Sequence, residues 1–593
     1  VLFFENASGN AELDWLREGL ADMVITDLSR SAELSVLSRQ QLRTILDGLA
    51  LERGREGDLA AALEVARRGR AKALVRGTFL RLGDRVRLDV QLLEGASGRL
   101  LAAESALAER PEEILTHVDL LALKLLPHLG ARPRGEALRQ TLRDVRTESL
   151  DAYRYYSLGL EKAQSLHTRE AIALFEKALE LDPGFAIARA RIGYALGVTG
   201  NEGDLARPHF ERALASGSRL SAEDRLVVSA WDAIARLDYA RAVEEYRRLV
   251  QRFPGEVEHY LRLAKLLVGE QRPAEAIDVL RRGLVVDPDD RYLHNTLSNV
   301  YSDAGRHEEA IAEANRTVAL DPQEPNALDT LAAAHHWAGH YEEALEVYGR
   351  ALSLNPEFGV AIIHLGNLHF EMGRYRDALA AFERYGKLAS ADWERVRSLD
   401  SQIWLHLRKG DLRRAEEVLR RYPEGEEWGG GAWRLAVERG DPGLEARLAA
   451  LETRPSRYTG RGQRPTLRHI LVTRGELCLR AGRVEEGIAF LQKALAQRPP
   501  RWDIDPMEGA LADAYRRLGR LDEAVGEYER LLALNPRMPG ALYGLGLVRE
   551  RQGREADARR LFEAFLEVWK TADEDAPDRL DATKRLAALA RAG

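Results

Sequence analysis

The sequence predicts a mainly α fold: a small N-terminal α/β domain followed by a right-handed α-α superhelical solenoid of about eleven or twelve helix–turn–helix repeats. Three observations carry this. Pro254, Pro288, Pro322 and Pro356 stand 34 residues apart, and twelve residues before each lies Ala242, Ala276, Ala310 or Ala344. Ala, Leu, Arg and Glu, all good helix formers, dominate the chain. Before residue 130 the period is absent, and Val86, Leu88, Val90 and Leu92 alternate with charged or polar residues, as in a strand buried on one face.

The bulk numbers fit this reading. At 593 residues the chain is too long for one core, so several domains or an extended array are expected. A hydrophobic content of 45% and a charged content of 31% exclude a disordered chain. The net charge of −7 disfavours a general nucleic-acid or anionic-membrane binder. A lone cysteine, Cys478, excludes an intramolecular disulfide and is expected to be a core residue. No stretch reaches the ~18 uncharged apolar residues of a membrane span. The chain opens on Val1-Leu2-Phe3-Phe4, without Met and as a strand already under way. It is therefore expected to be a piece of a longer protein whose preceding part includes a membrane anchor or a catalytic domain.

Taken in order, residues 1–4 predict a short strand, and 6–10, Asn-Ala-Ser-Gly-Asn, a turn. Leu13, Leu16, Leu20, Met23, Val24, Ile25 and Leu28 form the apolar stripe of a helix over 12–31. A strand over 34–37 and helices over 40–51 and 58–68 follow. Strands over 73–80, 85–93 and 100–105 are joined by turns at Leu82-Gly83-Asp84 and at Gly95-Ala-Ser-Gly98. A helix over 111–129 closes the segment, and 131–148 is read as a linker. Val1-Leu2-Phe3-Phe4-Glu5-Asn6, Ser8-Gly9, Gly19-Leu20, Leu28-Ser29, Leu34-Ser-Val36, Arg39, Ala73-Leu-Val-Arg-Gly77, Gly83-Asp-Arg-Val-Arg87 and Gly95-Ala-Ser-Gly98 occur in the order of a known family. On these motifs residues 1–108 resemble the TolB amino-terminal-like domain of bacterial signalling proteins. Phe3 and Asn10 stand where that family usually has Pro and Asp.

The remainder is read as repeats over 149–392, degenerate repeats over 393–465, repeats again over 466–575 and a capping helix over 576–593. In the first repeat the markers are Gly159, Ala171, Phe175, Ala178 and Pro183; in the second, Gly193, Ala206, Phe210 and Ala213, with one extra residue in the turn. Small residues let two helices cross closely, the aromatic residue or Leu fills the gap to the next repeat, and Pro ends the second helix. This part closely resembles the tetratricopeptide-repeat family, which implies a binding surface rather than a reaction vessel.

No phosphate loop, H-E-x-x-H, G-x-S-x-G or kinase signature is present, and no cofactor, metal or catalytic residue is expected. His335, His336, His340, His364 and His369 cluster, with His335 and His369 in equivalent positions; they are expected to pack between helices rather than bind metal. By repeat position Tyr292, Asn295, Asn299, Asp329, His336, Trp337, Ile363, His364, Asn367 and Phe370 are expected to line the concave face, where amides and rings suit an extended peptide. The Lys/Asn/Arg set of the family's carboxylate-clamp repeats is not reproduced there. An Arg-rich stretch with Arg454, Arg457, Arg461, Arg464 and Arg468 is a candidate loop for an acidic partner.

The combined resemblance implies a non-catalytic, protein- or peptide-binding sensor or scaffold region of a bacterial signalling protein. Its effector would be N-terminal to this chain, a Ser/Thr kinase first, and the region would sit on the extracytoplasmic side of a membrane-anchored protein; the alternative location is cytoplasmic. Two further readings are a free-standing envelope assembly or scaffold protein, and an accessory region of a nucleotide cyclase, transcription regulator or transferase.

Overall fold

The computed structural model describes residues 1–29, 31, 34, 36, 37, 42, 45, 46, 58–131, 147, 149–164, 167–199, 202–216, 219–423, 429–453, 463–496 and 508–592. The expected strand over 34–37, the helix over 40–51 and the linker over 131–148 lie largely outside them. The chain forms two compact units, Val1–Leu266 and Leu267–Gly593.

The first unit holds a four-stranded sheet in the order β1 (Glu5–Asn6), β2 (Ala73–Leu82), β3 (Arg85–Glu94), β4 (Leu100–Ala108). β1 runs parallel to β2, and the other pairs are antiparallel. Val86, Leu88, Val90 and Leu92 are all buried against helices, as the alternation predicts, while Arg85, Arg87 and Gln91 are exposed. The covering helices are Trp15–Ser29 and Ile114–Leu125. The expected strand over residues 1–4 differs. Leu2 N–H donates to Val75 O, but Phe4 N–H turns away to Arg17 O at 2.9 Å, so the ladder proper begins only at Glu5. Phe4 also lies flat on the sheet: a Cβ at Gly77 would fall 2.2 Å from its ring.

The first repeats share this core. Phe4, Leu20, Leu88 and Leu121 belong to one buried cluster with Tyr153, Phe175 and Phe185, and Tyr153 OH donates to the Asp22 carboxylate at 2.9 Å. The division read at residues 131–148 therefore does not separate two cores. The extra residue in the turn of the second repeat is absorbed as a π-helical turn, Tyr194–Thr199, continuing the helix Ala186–Gly193.

The second unit is a run of helical hairpins. Arg291–Asp303 pairs with His307–Leu320, Pro325–Trp337 with Tyr341–Leu354, and Gly359–Glu371 with Tyr375–Leu388. The stretch read as degenerate is also hairpins, Asp392–Arg408 with Leu412–Leu419 and Gly430–Arg439 with Leu444–Thr453. Then come Gln463–Arg480 with Val484–Ala496, Ala510–Arg517 with Leu521–Leu534, Pro539–Arg551 with Glu555–Val568, and the last helix Pro577–Ala592. Packing follows the markers: Gly366 lies against Phe382, where an added Cβ would come within 2.6 Å of the ring, and Ala344, Ala378 and Ala524 are fully buried.

Within this unit the C-terminal hairpins fold back onto the turns of the first ones. Asn535 Nδ2 donates to Tyr341 OH at 3.0 Å, and Arg537 Nη1 to Gly339 O at 3.0 Å. Trp569 Nε1 donates to Glu371 O at 2.7 Å, with its ring edge-on to Tyr375. Asp573 N–H donates to Gly373 O at 3.0 Å, and Arg376 N–H to the Asp573 carboxylate at 3.1 Å. Lys409 meets Asp575, and Arg408 meets Asp578 at 2.6 Å. At the other end Gln271 Nε2 donates to Ala496 O at 3.0 Å. These contacts form a seam that recurs at one repeat position, the turn between the two helices of each early hairpin.

Candidate functional site

As at Gly553 in the hairpin after them, the first helix of each hairpin from Arg291 to Leu534 ends at a glycine of positive φ: Gly305, Gly339, Gly373, Gly410, Gly440, Gly482 and Gly519. These glycines set a common register. Six residues before them stand Asn299, Ala333, Asn367, Trp404, Arg434, Glu476 and Asp513; two before them stand Asp303, Trp337, Glu371, Arg408, Glu438, Arg480 and Arg517. Positions four apart share one helix face. The residues expected in the groove and a second, charged set thus belong to one series.

In the first three of these helices the polar groups are bonded from repeat to repeat. Asn295 Nδ2 donates to Thr330 Oγ1 at 2.5 Å. His364 Nδ1–H donates to Asp329 at 3.0 Å, and His336 Nε2 pairs with Glu371 at 3.1 Å. Asp329 and His336 are buried. Asn299 Nδ2 reaches Asn295 Oδ1 at 3.5 Å. Tyr292 is exposed, and Asn295, Asn299, Trp337, His364, Asn367 and Phe370 are partly exposed, with His336 stacked on Trp337 and Phe370 beside Tyr375. Ile363 requires correction: it is 0% exposed, on the side of its helix that neighbouring helices cover, and it cannot face a partner.

Of the clustered histidines, His336 is buried, His335, His364 and His369 are half-buried, and His340, in the turn, is exposed. His335 Nδ1 lies 3.5 Å from His340 Nδ1. Among the described residues no three His, Cys, Asp or Glu side chains group as metal ligands. Burial, reinforced by the Arg374 charge, pushes His369 down from 6.5 to about 4. The folded state keeps this imidazole neutral, whereas an unfolded one protonates below its ordinary value. Its contribution to stability is therefore intact above pH 6.5 and lost as pH falls towards about 4. A His369→Phe variant should show a smaller drop in urea midpoint between about pH 7 and about pH 5 than the parent. Equal drops would remove His369 as a source of acid sensitivity. Cys478 is buried, and burial pushes its thiol up, as for a core residue.

Arg454, Arg457 and Arg461 lie outside the described residues, as does the side chain of Arg464 in the first turn of the helix Gln463–Arg480. Arg468 requires correction. It is 1% exposed, on the same helix, with Nη2 on Glu508 at 2.9 Å and Nη1 on Ala494 O at 3.3 Å. A guanidinium held in this way is a structural ion pair, not a docking group.

The charged set was not singled out in the sequence. Trp404, Arg408, Arg434, Glu438, Glu476, Asp513, Arg516 and Arg517 line a cavity of about 520 Å³ on the first helices of the 392–517 hairpins. Arg517 Nη2 donates to Glu476 Oε1 at 2.6 Å, Arg434 to Glu438 at 2.5 Å, and Arg516 to Asp513 and to Tyr528 OH. Counting back from the turn glycines is the signal that finds it, because the prolines after these hairpins, Pro423, Pro455, Pro499 and Pro536, do not keep the 34-residue spacing.

Residues 233–300, 338–403, 510–591 and 152–185 match tetratricopeptide-repeat families. Over these segments the chain carries several tetratricopeptide repeats. The chain is 27% identical over 199 residues to a protein of Rhizobium meliloti (strain 1021) named putative adenylate cyclase 3, covering 32% of this chain and 31% of that one. It thus spans about a third of the length of that relative. Among solved structures, a thermophilic tetratricopeptide-repeat protein of Thermus thermophilus is 25% identical, with 31% of this chain and 99% of that one covered and a TM-score of 0.27. YrrB, described as having an unusual peptide-binding site, is 21% identical over 32% of this chain and 95% of its own, with a TM-score of 0.24.

Proposed function

We infer that this tetratricopeptide-repeat array is a non-catalytic scaffold that captures a protein or peptide on the inner face of its 291–371 helices. The observation that carries this is the exposed or partly exposed set Tyr292, Asn299, Trp337, Asn367 and Phe370, which recurs along successive first helices while the polar groups between them are already bonded to one another. Such a face is rigid before a partner arrives, so less ordering entropy opposes binding. Rings and amides supply contact area and backbone hydrogen bonds to an extended chain.

The similarity to a putative adenylate cyclase supports a place in bacterial signalling. It favours a cyclase as the attached effector over the kinase that the sequence resemblance puts first. On the same resemblance, with the TolB-like segment, the region lies on the extracytoplasmic side of a membrane-anchored protein. Among the described residues no helix is long and apolar enough to cross a membrane.

Replacing Trp337 and Phe370 together by alanine should abolish partner capture in quantitative pull-downs while leaving the helical circular dichroism signal intact. Each lost ring contact of a binding hot spot lowers affinity by about tenfold or more. Unchanged capture by the folded double variant would remove the groove as the binding site.

A further inference from the structure

The seam carries a feature that the repeat fold does not require. Four residues before the turn glycines Gly339, Gly373 and Gly410 stand His335, His369 and His406. Each closes its turn with its backbone carbonyl, accepting from His340 N–H, Arg374 N–H or Asp411 N–H at 2.9 Å. That hydrogen bond needs no particular side chain, and in the later hairpins the same position holds Ala436, Cys478, Tyr515 and Arg549. Histidine falls on the three turns that the C-terminal segment grips: through Asn535 and Arg537, through Trp569 and Asp573, and through Asp575 and Asp578. At Gly305 the position is Tyr301, and the imidazole is His307, two residues after the glycine and against Leu534.

The surroundings of these imidazoles favour the neutral form. Both ring nitrogens of His307 are buried, as is His369 Nδ1, which has no hydrogen-bond partner among the described residues. His406 is 6% exposed. His335 Nδ1 meets His340 Nδ1 at 3.5 Å, where a second proton would add like charge at contact distance. The charged neighbours are of both signs: His340 and Glu343 around His335, His340 beside His307, Arg374 and Asp377 around His369, and Asp411, Arg414, Lys409 and Glu417 around His406. The C-terminal segment brings Arg537, Lys570, Asp573, Asp575 and Asp578 to the same turns. Burial outweighs the carboxylates and pushes His307, His335, His369 and His406 below the ordinary 6.5, His369 to about 4. A turn released into water lets its imidazole protonate at the ordinary value, so the closed state loses stability as pH falls from 6.5 towards about 4.

We propose that the seam is an acid-operated latch, closed at neutral pH and released from the turns at Gly305, Gly339, Gly373 and Gly410 when the imidazoles of those turns take up protons. Release opens the array at its C-terminal end while each hairpin keeps its own core, because a local opening costs less than unfolding the unit. The carboxylates of the grip act at lower pH, since its hydrogen bond to Lys409 holds Asp575 below the usual carboxylate range. The latch does not depend on what the groove binds.

Hydrogen exchange on the full chain reads the latch between about pH 7.5 and about pH 4, with labelling times scaled for the intrinsic pH dependence of exchange. The amides of Asn535, Arg537 and Met538, those of 569–576 and those of the turns at 339–341 and 373–376 should lose protection together in acid, ahead of helix centres such as 347–351. The triple variant His335→Gln/His369→Gln/His406→Gln keeps polar side chains that cannot ionise, and its seam should open about one pH unit lower. If the triple variant fails to fold, His335→Gln alone, at a half-buried position, should lower the opening pH by about 0.3. The proposal is overturned if the parent seam stays protected down to about pH 4.5, or if it opens only together with the helix centres. Variants that fold and open at the pH of the parent also overturn it.

Discussion

Truncating Trp569 to alanine should destabilise the second unit by about 3–5 kcal/mol, the range for a buried tryptophan. Trp569 is 2% exposed, lies tilted against Phe565 with ring centroids 4.6 Å apart, meets Tyr375 edge-on and donates to Glu371 O. A Cβ on Gly373 would come within 2.9 Å of its ring, so the indole fills the space over that turn and nothing nearby can replace it. Urea unfolding measures the loss. Hydrogen exchange locates it: amides at the partner turn, Gly373 to Arg376, and at 570–576 should exchange faster than in the parent. Trp569→Phe keeps most of the packing and removes one hydrogen bond, so it should cost about 1 kcal/mol plus the smaller ring. A Trp569→Ala loss below about 1 kcal/mol would mean that the seam contributes little to stability.

The second large effect is expected at Arg468. Replacing it by alanine removes one partner of a buried ion pair, which costs about 3–5 kcal/mol because the remaining carboxylate is left in a poorly solvated place. Glu508 also holds Arg530 at 3.3 Å, so the loss should fall near about 3 kcal/mol. The double change Arg468→Met with Glu508→Leu should recover most of it, since apolar replacement of both partners is often near neutral. Equilibrium unfolding of the three variants checks this. A double variant no better than the single one would mean that the pair stabilises by more than charge compensation.

The repeat architecture was legible because its causes are local. A small residue at the crossing, a ring sixteen residues on and a proline after the second helix recur wherever two helices must approach and stop, as Gly159, Phe175 and Pro183 illustrate. The same holds for β3, where alternation alone marked the buried face. The inner face was legible in part. Trp337, Asn299, Asn367 and Phe370 are partly exposed, but Asn295, Asp329 and His336 are bonded to groups one repeat away, and a single helix pattern does not reveal that pairing. Ile363 shows the limit of repeat position: one face of a helix is groove and the adjacent face is stack, and one residue of rotation separates them. Arg468 shows the limit of charge runs. A loop composition before residue 463 passes into a helix without a break in the arginine pattern, and burial reverses the meaning of the charge. The cavity stayed hidden because the prolines of its hairpins, Pro423, Pro455, Pro499 and Pro536, fall out of the 34-residue spacing and only the turn glycine keeps the register.

The seam changes how this unit should come apart. An open repeat array behaves as a line of nearest-neighbour couplings, so its terminal repeats fray first and unfolding spreads inward. Here the ends are not free: the 535–578 segment is bonded to turns that precede it by roughly 200 residues, which gives the array a cyclic boundary condition. Losing the last hairpins would strip partners from Tyr341, Gly373 and Lys409 as well, so the cost of fraying is shared by the middle of the array. One cooperative transition replaces sequential peeling, and a deletion from the C-terminus would weaken distant early repeats as well as the ones adjoining it.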